Sequence, residues 1–157
     1  MRDRPGDKQL PLYEGKLTNC TIHTLIADVI LFAEGQVLLV KYKEAEKYDK
    51  QTGWFLPNDS LSEFEHPQDC ARRILKEQLG LTHIELKLSF IESFKGNDGS
   101  WHLAFHYKAE LEKKPVITPS DHIQVAEWFS VDHLPERSEV AHQGWARTII
   151  KAALKRA

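Results

Sequence analysis

The chain has 157 residues, 41% hydrophobic and 28% charged, with a net charge of −2. That size suits one domain around a single core, and the charge excludes the basic surface of a dedicated nucleic-acid binder, so no stable nucleic-acid binding is expected. No apolar run is long enough to span a bilayer and the charged N-terminus lacks a secretory apolar core, which points to a cytoplasmic protein with no membrane partner.

Residues 1–20, with Pro5, Gly6, Pro11 and Gly15, read as an N-terminal arm packed on the domain or exchanged with a second copy, which leaves a homodimer open. Residues 21–157 read as a single domain. "TLIADVILFAEGQVLLVKY" is two apolar runs split by "AEGQ", predicting a hairpin of strands near 24–32 and 36–42. Residues 43–53 are polar and read as a loop, and "WFLP" as a short extended piece. "HPQDCARRILKEQLG" predicts a helix, with Pro67 at its first position and Gly80 just past its end. Its apolar stripe is Ala71, Ile74 or Leu75, and Leu79.

Beyond it, "IELKLSFIESF" and "WHLAFHYKAEL" alternate like strands around the turn "KGNDGS", and "VAEWFSV" is a further strand. In the second of these, Trp101, Leu103, Phe105, Tyr107 and Ala109 share one face. His102 and His106 lie on the other, toward solvent or a cleft. A closing helix is expected from Glu139 to Arg156, with Trp145, Ile149, Ala152 and Ala153 on one side. The two cysteines, Cys20 and Cys70, have no zinc or redox spacing and read as free thiols in a reducing compartment. Strands, helix, strands, helix predicts a mixed sheet with helices on both faces.

Residues 59–81 resemble the Nudix box: glycine, five residues, glutamate, seven residues, Arg-Glu, an aliphatic, any residue, Glu-Glu, any residue, glycine, an aliphatic. Asp59, Glu65, Arg73-Ile74, Leu75, Glu77-Gln78, Gly80 and Leu81 stand at those positions, and Leu56-Pro57-Asn58-Asp59 stands where the family has Leu-Pro-Gly-Gly. The hairpin, the "EWFSVDHLP" strand and turn, and the closing helix also fall where that fold has them. The resemblance implies an α/β fold, the Nudix-like α/β/α sandwich, a mixed sheet flanked by helices. Ile74 and Gln78 replace two of the three helix glutamates. Asn58 and Asp59, which tolerate positive φ best after glycine, replace the loop glycines.

The family's helix glutamates project together because residues three and four apart share a helical face. Such a cluster suits Mg2+, which takes oxygen ligands and bridges to substrate phosphates. The implied metal ligands here are Glu77, Glu65 and Asp59, with Mg2+ held weakly or with help from the substrate. Glu77, Glu65 and Arg73 carry over as catalytic positions, the Glu65–Arg73 pair mainly by tying the loop to the helix. The GDP-mannose mannosyl hydrolases of this family also have an aliphatic residue after the box arginine. They are thought to use a histidine base before the strand tryptophan. In "SDHIQVAEW" that assigns His122 as base, beside Asp121. Lys41 and Lys43 stand where phosphate could meet them, and Trp54, Phe55, Trp101 and His102 where a nucleotide could stack or bind. The function implied is hydrolysis of a nucleoside diphosphate linked to another moiety, a nucleotide sugar among them, with an altered metal site. The alternative is a Nudix-fold module without catalysis, binding a nucleotide or a protein partner.

Overall fold

The computed structural model describes residues 23–48 and 50–156; the N-terminal arm lies outside them. Strands β1 (His23–Ala33) and β2 (Gln36–Tyr42) form the expected hairpin. Its turn, Glu34-Gly35, has φ of 52° and 73°, the left-handed pair that a two-residue hairpin needs. Only Phe32 with Val37 and Ala33 with Gln36 pair directly. The strands then part, and the "WFLP" segment fills the wedge. Phe55 exchanges both backbone hydrogen bonds with Val40, at 2.8 and 2.9 Å, and Val29 N–H donates to Pro57 O at 3.0 Å. The next strand, β3 (Asn58–Ser60), pairs with Ile26, Ala27 and Asp28. The start of the box-like segment is thereby pinned to the centre of the sheet.

Strands β4 (Lys87–Lys95), β5 (Trp101–Leu111) and β6 (Ile123–Ser130) complete a mixed sheet of order β4-β5-β1-β2-β6. β5 runs parallel to β1 along its whole length, from His23 beside Trp101 to Ala33 beside Leu111. Both strands are central and covered on both faces, which explains the apolar run of β1, interrupted at Asp28. Ala27, Val29 and Leu31 face α1 (Pro67–Leu79); Ile30 and Phe32 face α2 (Ala141–Leu154). The architecture is the α/β/α sandwich, a mixed sheet flanked by two helices. Among the described residues no helix is long and apolar enough to cross a membrane.

α1 starts and stops as its residue types dictate. His66 caps it, accepting from Gln68 N–H at 3.0 Å, with Pro67 at the first position. Gly80 ends it in the left-handed region at φ 68°. A Cβ there would meet Thr118 at 2.9 Å. Ala71, Ile74, Leu75 and Leu79 are buried in the core, as the stripe predicts.

Three expectations differ from the structure. Asn58 and Asp59 lie in β3, and neither has positive φ, so strand pairing rather than a glycine-like turn fixes them. His106 is fully buried rather than solvated, because α2 covers its face of the sheet. The closing helix does not run smoothly from residue 139: a short 3-10 turn (Arg137–Glu139) precedes it, and His142, Gln143 and Gly144 are left-handed, at φ 53°, 58° and 91°. That turn carries His142, Gln143 and Trp145 to the edge of a cleft.

Candidate functional site

The box-like segment folds around Arg73. Its Nε and Nη2 donate to the two Glu65 oxygens, 3.0 Å each, and its Nη1 to Asp59 Oδ2 at 2.7 Å. Nη2 also donates to Ser60 O at 3.0 Å, tying loop to helix. A planar guanidinium serves such a fork better than an ammonium would. These hydrogen bonds hold the Glu65 carboxyl below its ordinary range. Glu77 is more exposed, its Oε2 3.9 Å from Arg73 Nη1.

The two replaced glutamate positions point inward. Ile74 is 1% exposed, within the core that includes Val29, Leu75 and Tyr107. Gln78 is buried and hydrogen-bonded through both ends of its amide: its Nε2 donates to Asn58 O at 2.8 Å, and its Oε1 accepts from Tyr42 O–H at 2.7 Å. The Tyr42 oxygen in turn accepts from Asn58 N–H at 3.0 Å, and its ring stacks on Tyr48 at 3.7 Å. A neutral amide thus does by hydrogen bonding what a carboxylate there could do only with a cation.

That donor set does not fit a divalent metal. Of the three helix positions, one is apolar core, one is a buried amide hydrogen-bonded at both ends and one is a surface carboxylate. Mg2+ would have to draw Asp59 and Glu65 away from Arg73 while meeting the guanidinium's own charge. Among the described residues, no group of three or more His, Cys, Asp or Glu side chains is arranged to hold a metal ion.

Beside this segment lies a cleft of about 610 Å³, lined by Tyr48, Phe55, Asn58, Asp59, Phe94, His102, His142 and Trp145, with Lys47 and Lys95 also in its wall. Phe94 stacks on His102 at 5.2 Å and meets Trp145 edge-on at 5.6 Å. Glu92, on the same face of β4 as Phe94, also lines it. Behind Glu92 is a buried chain of charge. His106 Nδ1 lies 2.9 and 2.8 Å from the two Asp28 oxygens, and its Nε2 is 2.7 Å from Glu92 Oε1. Each ring nitrogen faces a carboxylate, an arrangement that favours the doubly protonated imidazolium. Burial opposes charge on the imidazole, yet the bonds to Asp28 and Glu92 outweigh it and push His106 up to about 9. The His106 bond likewise lowers Glu92. Burial raises Asp28 more than His106 lowers it.

The sequence-predicted residues separate into two sets. Asp59 and His102 line the cleft; Glu65, Arg73 and Glu77 form or adjoin the clasp behind Asp59. Trp54 is buried against Phe129 at 4.8 Å, with Lys41 Nζ 4.7 Å over its ring, so this pair belongs to the packing of the α2 layer. Lys43 and His122 are exposed, joined by a backbone bond of 2.9 Å between Lys43 N–H and His122 O, and neither lines the cleft. Trp101 is 48% exposed and donates from Nε1 to Ser93 Oγ at 2.8 Å, outside the cleft lining. Sequence reasoning missed Glu92 and Asp28, read Trp145 only as a packing residue of the closing helix, and set His106 toward solvent or a cleft without its carboxylate partners. The available signal was Asp28, a carboxylate inside an apolar run, which needs a buried partner.

An α/β/α sandwich with a box-like loop and helix beside a nucleotide-sized cleft defines a Nudix-type protein. The chain matches the NUDIX domain family over residues 22–151 and belongs to it. Similar solved structures include a MutT NUDIX hydrolase from Burkholderia pseudomallei, 20% identical with TM-score 0.69, covering 83% of this chain and 97% of that one. The NUDIX domain of Shewanella oneidensis NrtR, complexed with ADP ribose, is 16% identical with TM-score 0.69, covering 97% and 98%. A C. elegans Ap4A hydrolase is 14% identical with TM-score 0.65, covering 84% and 96%. At these identities the likeness is one of fold.

Proposed function

We propose that the cleft binds a nucleoside diphosphate linked to another moiety, a nucleotide sugar being the candidate class, and that it does so without a built multi-metal centre. The observation that carries this reading is the locked Gln78. Its amide, held by Tyr42 and Asn58, closes the position where the family pattern has a glutamate, while the cleft beside it stays wide. A volume of about 610 Å³ lies in the range typical of small-molecule sites. The ADP ribose in the NrtR domain's complex supports a ligand of this kind.

The test is thermal stabilisation by ADP-ribose, nucleoside diphosphates and nucleotide sugars, each with and without Mg2+. A ligand at a hundred times its Kd adds about 2.7 kcal/mol to the folded state. Stabilisation independent of Mg2+ is expected, and stabilisation seen only with Mg2+ would overturn the reading. Hydrolysis of the same ligand is a second reading. It is favoured by Asp59 standing in the cleft wall with Glu65 and Glu77 close behind. Chromatography of a long incubation separates the two: intact ligand supports binding, and a released nucleotide supports hydrolysis.

A further inference from the structure

The Asp28–His106–Glu92 chain is unused by anything described so far, yet it ends in the cleft. Glu92 reaches the surface there, its side chain 34% exposed, while the other two groups are buried. Two donors converge on one of its oxygens: His106 Nε2–H at 2.7 Å and Trp145 Nε1–H at 3.2 Å both meet Oε1. Oε2 has no hydrogen-bond partner among the described residues. A carboxylate oxygen fixed on a strand, oriented through its partner oxygen and left toward a cleft, is a ready acceptor for a donor on a ligand.

Charge and shape decide which part of a nucleotide it meets. Glu92 is the group of this unit that reaches the cleft, and its carboxylate repels phosphate. Phe94 and Trp145 flank Glu92 and offer apolar ring surface of the kind on which bases stack. A base, rather than a diphosphate, suits this end.

We propose that Glu92 is a specificity-determining residue: its Oε2 accepts a hydrogen bond from the exocyclic amino group of a nucleobase stacked at Phe94 and Trp145, with His106 and Asp28 as positioning residues. This rests on the cleft being a nucleotide site. Exchanging the amino group for a carbonyl sets acceptor against acceptor, and the binding of such a base falls. Pairing of a carboxylate with the cytosine amino group follows the same chemistry.

The same geometry makes an unusual claim about Glu92→Gln. Both His106 and Trp145 still need an acceptor at the Oε1 position, so the glutamine oxygen turns to them and its NH2 takes the place of Oε2. The cleft then presents a donor, and the preference reverses.

The experiment is calorimetric titration of the full chain with three pairs of nucleoside diphosphates differing by amino against carbonyl: adenosine and inosine, cytidine and uridine, guanosine and xanthosine. Wild type is expected to favour the amino member of its best-bound pair by about tenfold, the effect of one hydrogen bond to a charged group. Glu92→Gln is expected to favour the carbonyl member. The wild-type half stands without the variant, should the variant not fold. Equal binding of both members by wild type overturns the assignment while leaving the nucleotide site in place, as does a folded variant that keeps the amino preference. Binding of none of the six removes the nucleotide site and this assignment with it.

Discussion

On the α1 side of the cleft, the positions that carry carboxylates in the family's pattern hold Ile74 and Gln78, both buried, and the surviving acids Asp59 and Glu65 are gripped by Arg73. On the α2 side, two carboxylates are present that the box pattern does not contain, Asp28 and Glu92, and His106 sits between them. The first region has lost acids and the second carries one buried and one half-exposed, but the electrostatic solution is shared. In each, a cation belonging to the protein bridges a carboxylate pair and offsets part of its charge. Such a pair, when left without a protein cation, is what attracts a divalent ion. The comparison therefore teaches that charge compensation here is internal, which on the proposed reading leaves the cleft to a ligand's hydrogen bonds rather than to a metal.

The largest expected effect comes from forcing the α1 side back to the family pattern. Ile74→Glu with Gln78→Glu places one carboxylate in apolar core and another against Asn58 O, with Tyr42 the only remaining donor. A loss above about 4 kcal/mol is expected from the buried unpaired charge. Because Ile74 points into the core, added Mg2+ should not restore stability in urea titrations; metal-dependent recovery would show that these positions converge on an ion after all.

Next is the α2 side. His106→Leu leaves Asp28 and Glu92 without their cation, and a loss of about 3–5 kcal/mol is expected from breaking a buried ion pair. Denaturant titration measures it. A change under about 1 kcal/mol would mean that the two carboxylates are not held by this imidazole.

The pH dependence sharpens the same point. His106 rises from its ordinary 6.5 to about 9 on folding. Its contribution is then fully present below 6.5 and is lost as pH rises through about 9. At about 1.4 kcal/mol per pH unit this comes to about 3 kcal/mol. Stability should fall across that window in the wild type, and His106→Leu should flatten the fall. Glu92 works at the other end: its carboxyl is lowered, so its contribution is present above the ordinary 4.5 and fades as pH falls through the folded value.

The smallest effects belong to exposed residues outside the cleft lining. Glu77→Ala and His122→Ala, both at exposed positions, should each change stability by less than about 0.5 kcal/mol. Neither should alter the affinity of a nucleotide in the cleft by more than about twofold, since neither lines it. A tenfold change from His122→Ala would bring the loop before β6 into the site.

The elements themselves were legible. The "AEGQ" split placed the first hairpin, "WHLAFHYKAEL" is β5 residue for residue, and Pro67 and Gly80 bound α1. Local chemistry determines such features, and local chemistry is what a sequence displays. The loss of two box glutamates was legible too, but not what fills their place. Gln78 is satisfied by Tyr42, which is 36 positions away, and by Asn58, 20 away. His106 finds Asp28 across a separation of 78 only because β1 and β5 run parallel in that register. The left-handed turn at His142 and Gln143 was invisible, because it falls within a segment whose apolar spacing reads as continuous helix.

The most direct test of internal charge compensation is a Mn2+ titration of the full chain, read by the paramagnetic resonance of the free ion, on wild type and Arg73→Gln. With Arg73 in place, Asp59 and Glu65 are already paired, so wild type should take up no Mn2+ below about millimolar concentration. Arg73→Gln frees both carboxylates beside Glu77 and should gain a site at least about tenfold tighter. Binding of one or more ions by wild type at micromolar concentration, unimproved by Arg73→Gln, would contradict the account.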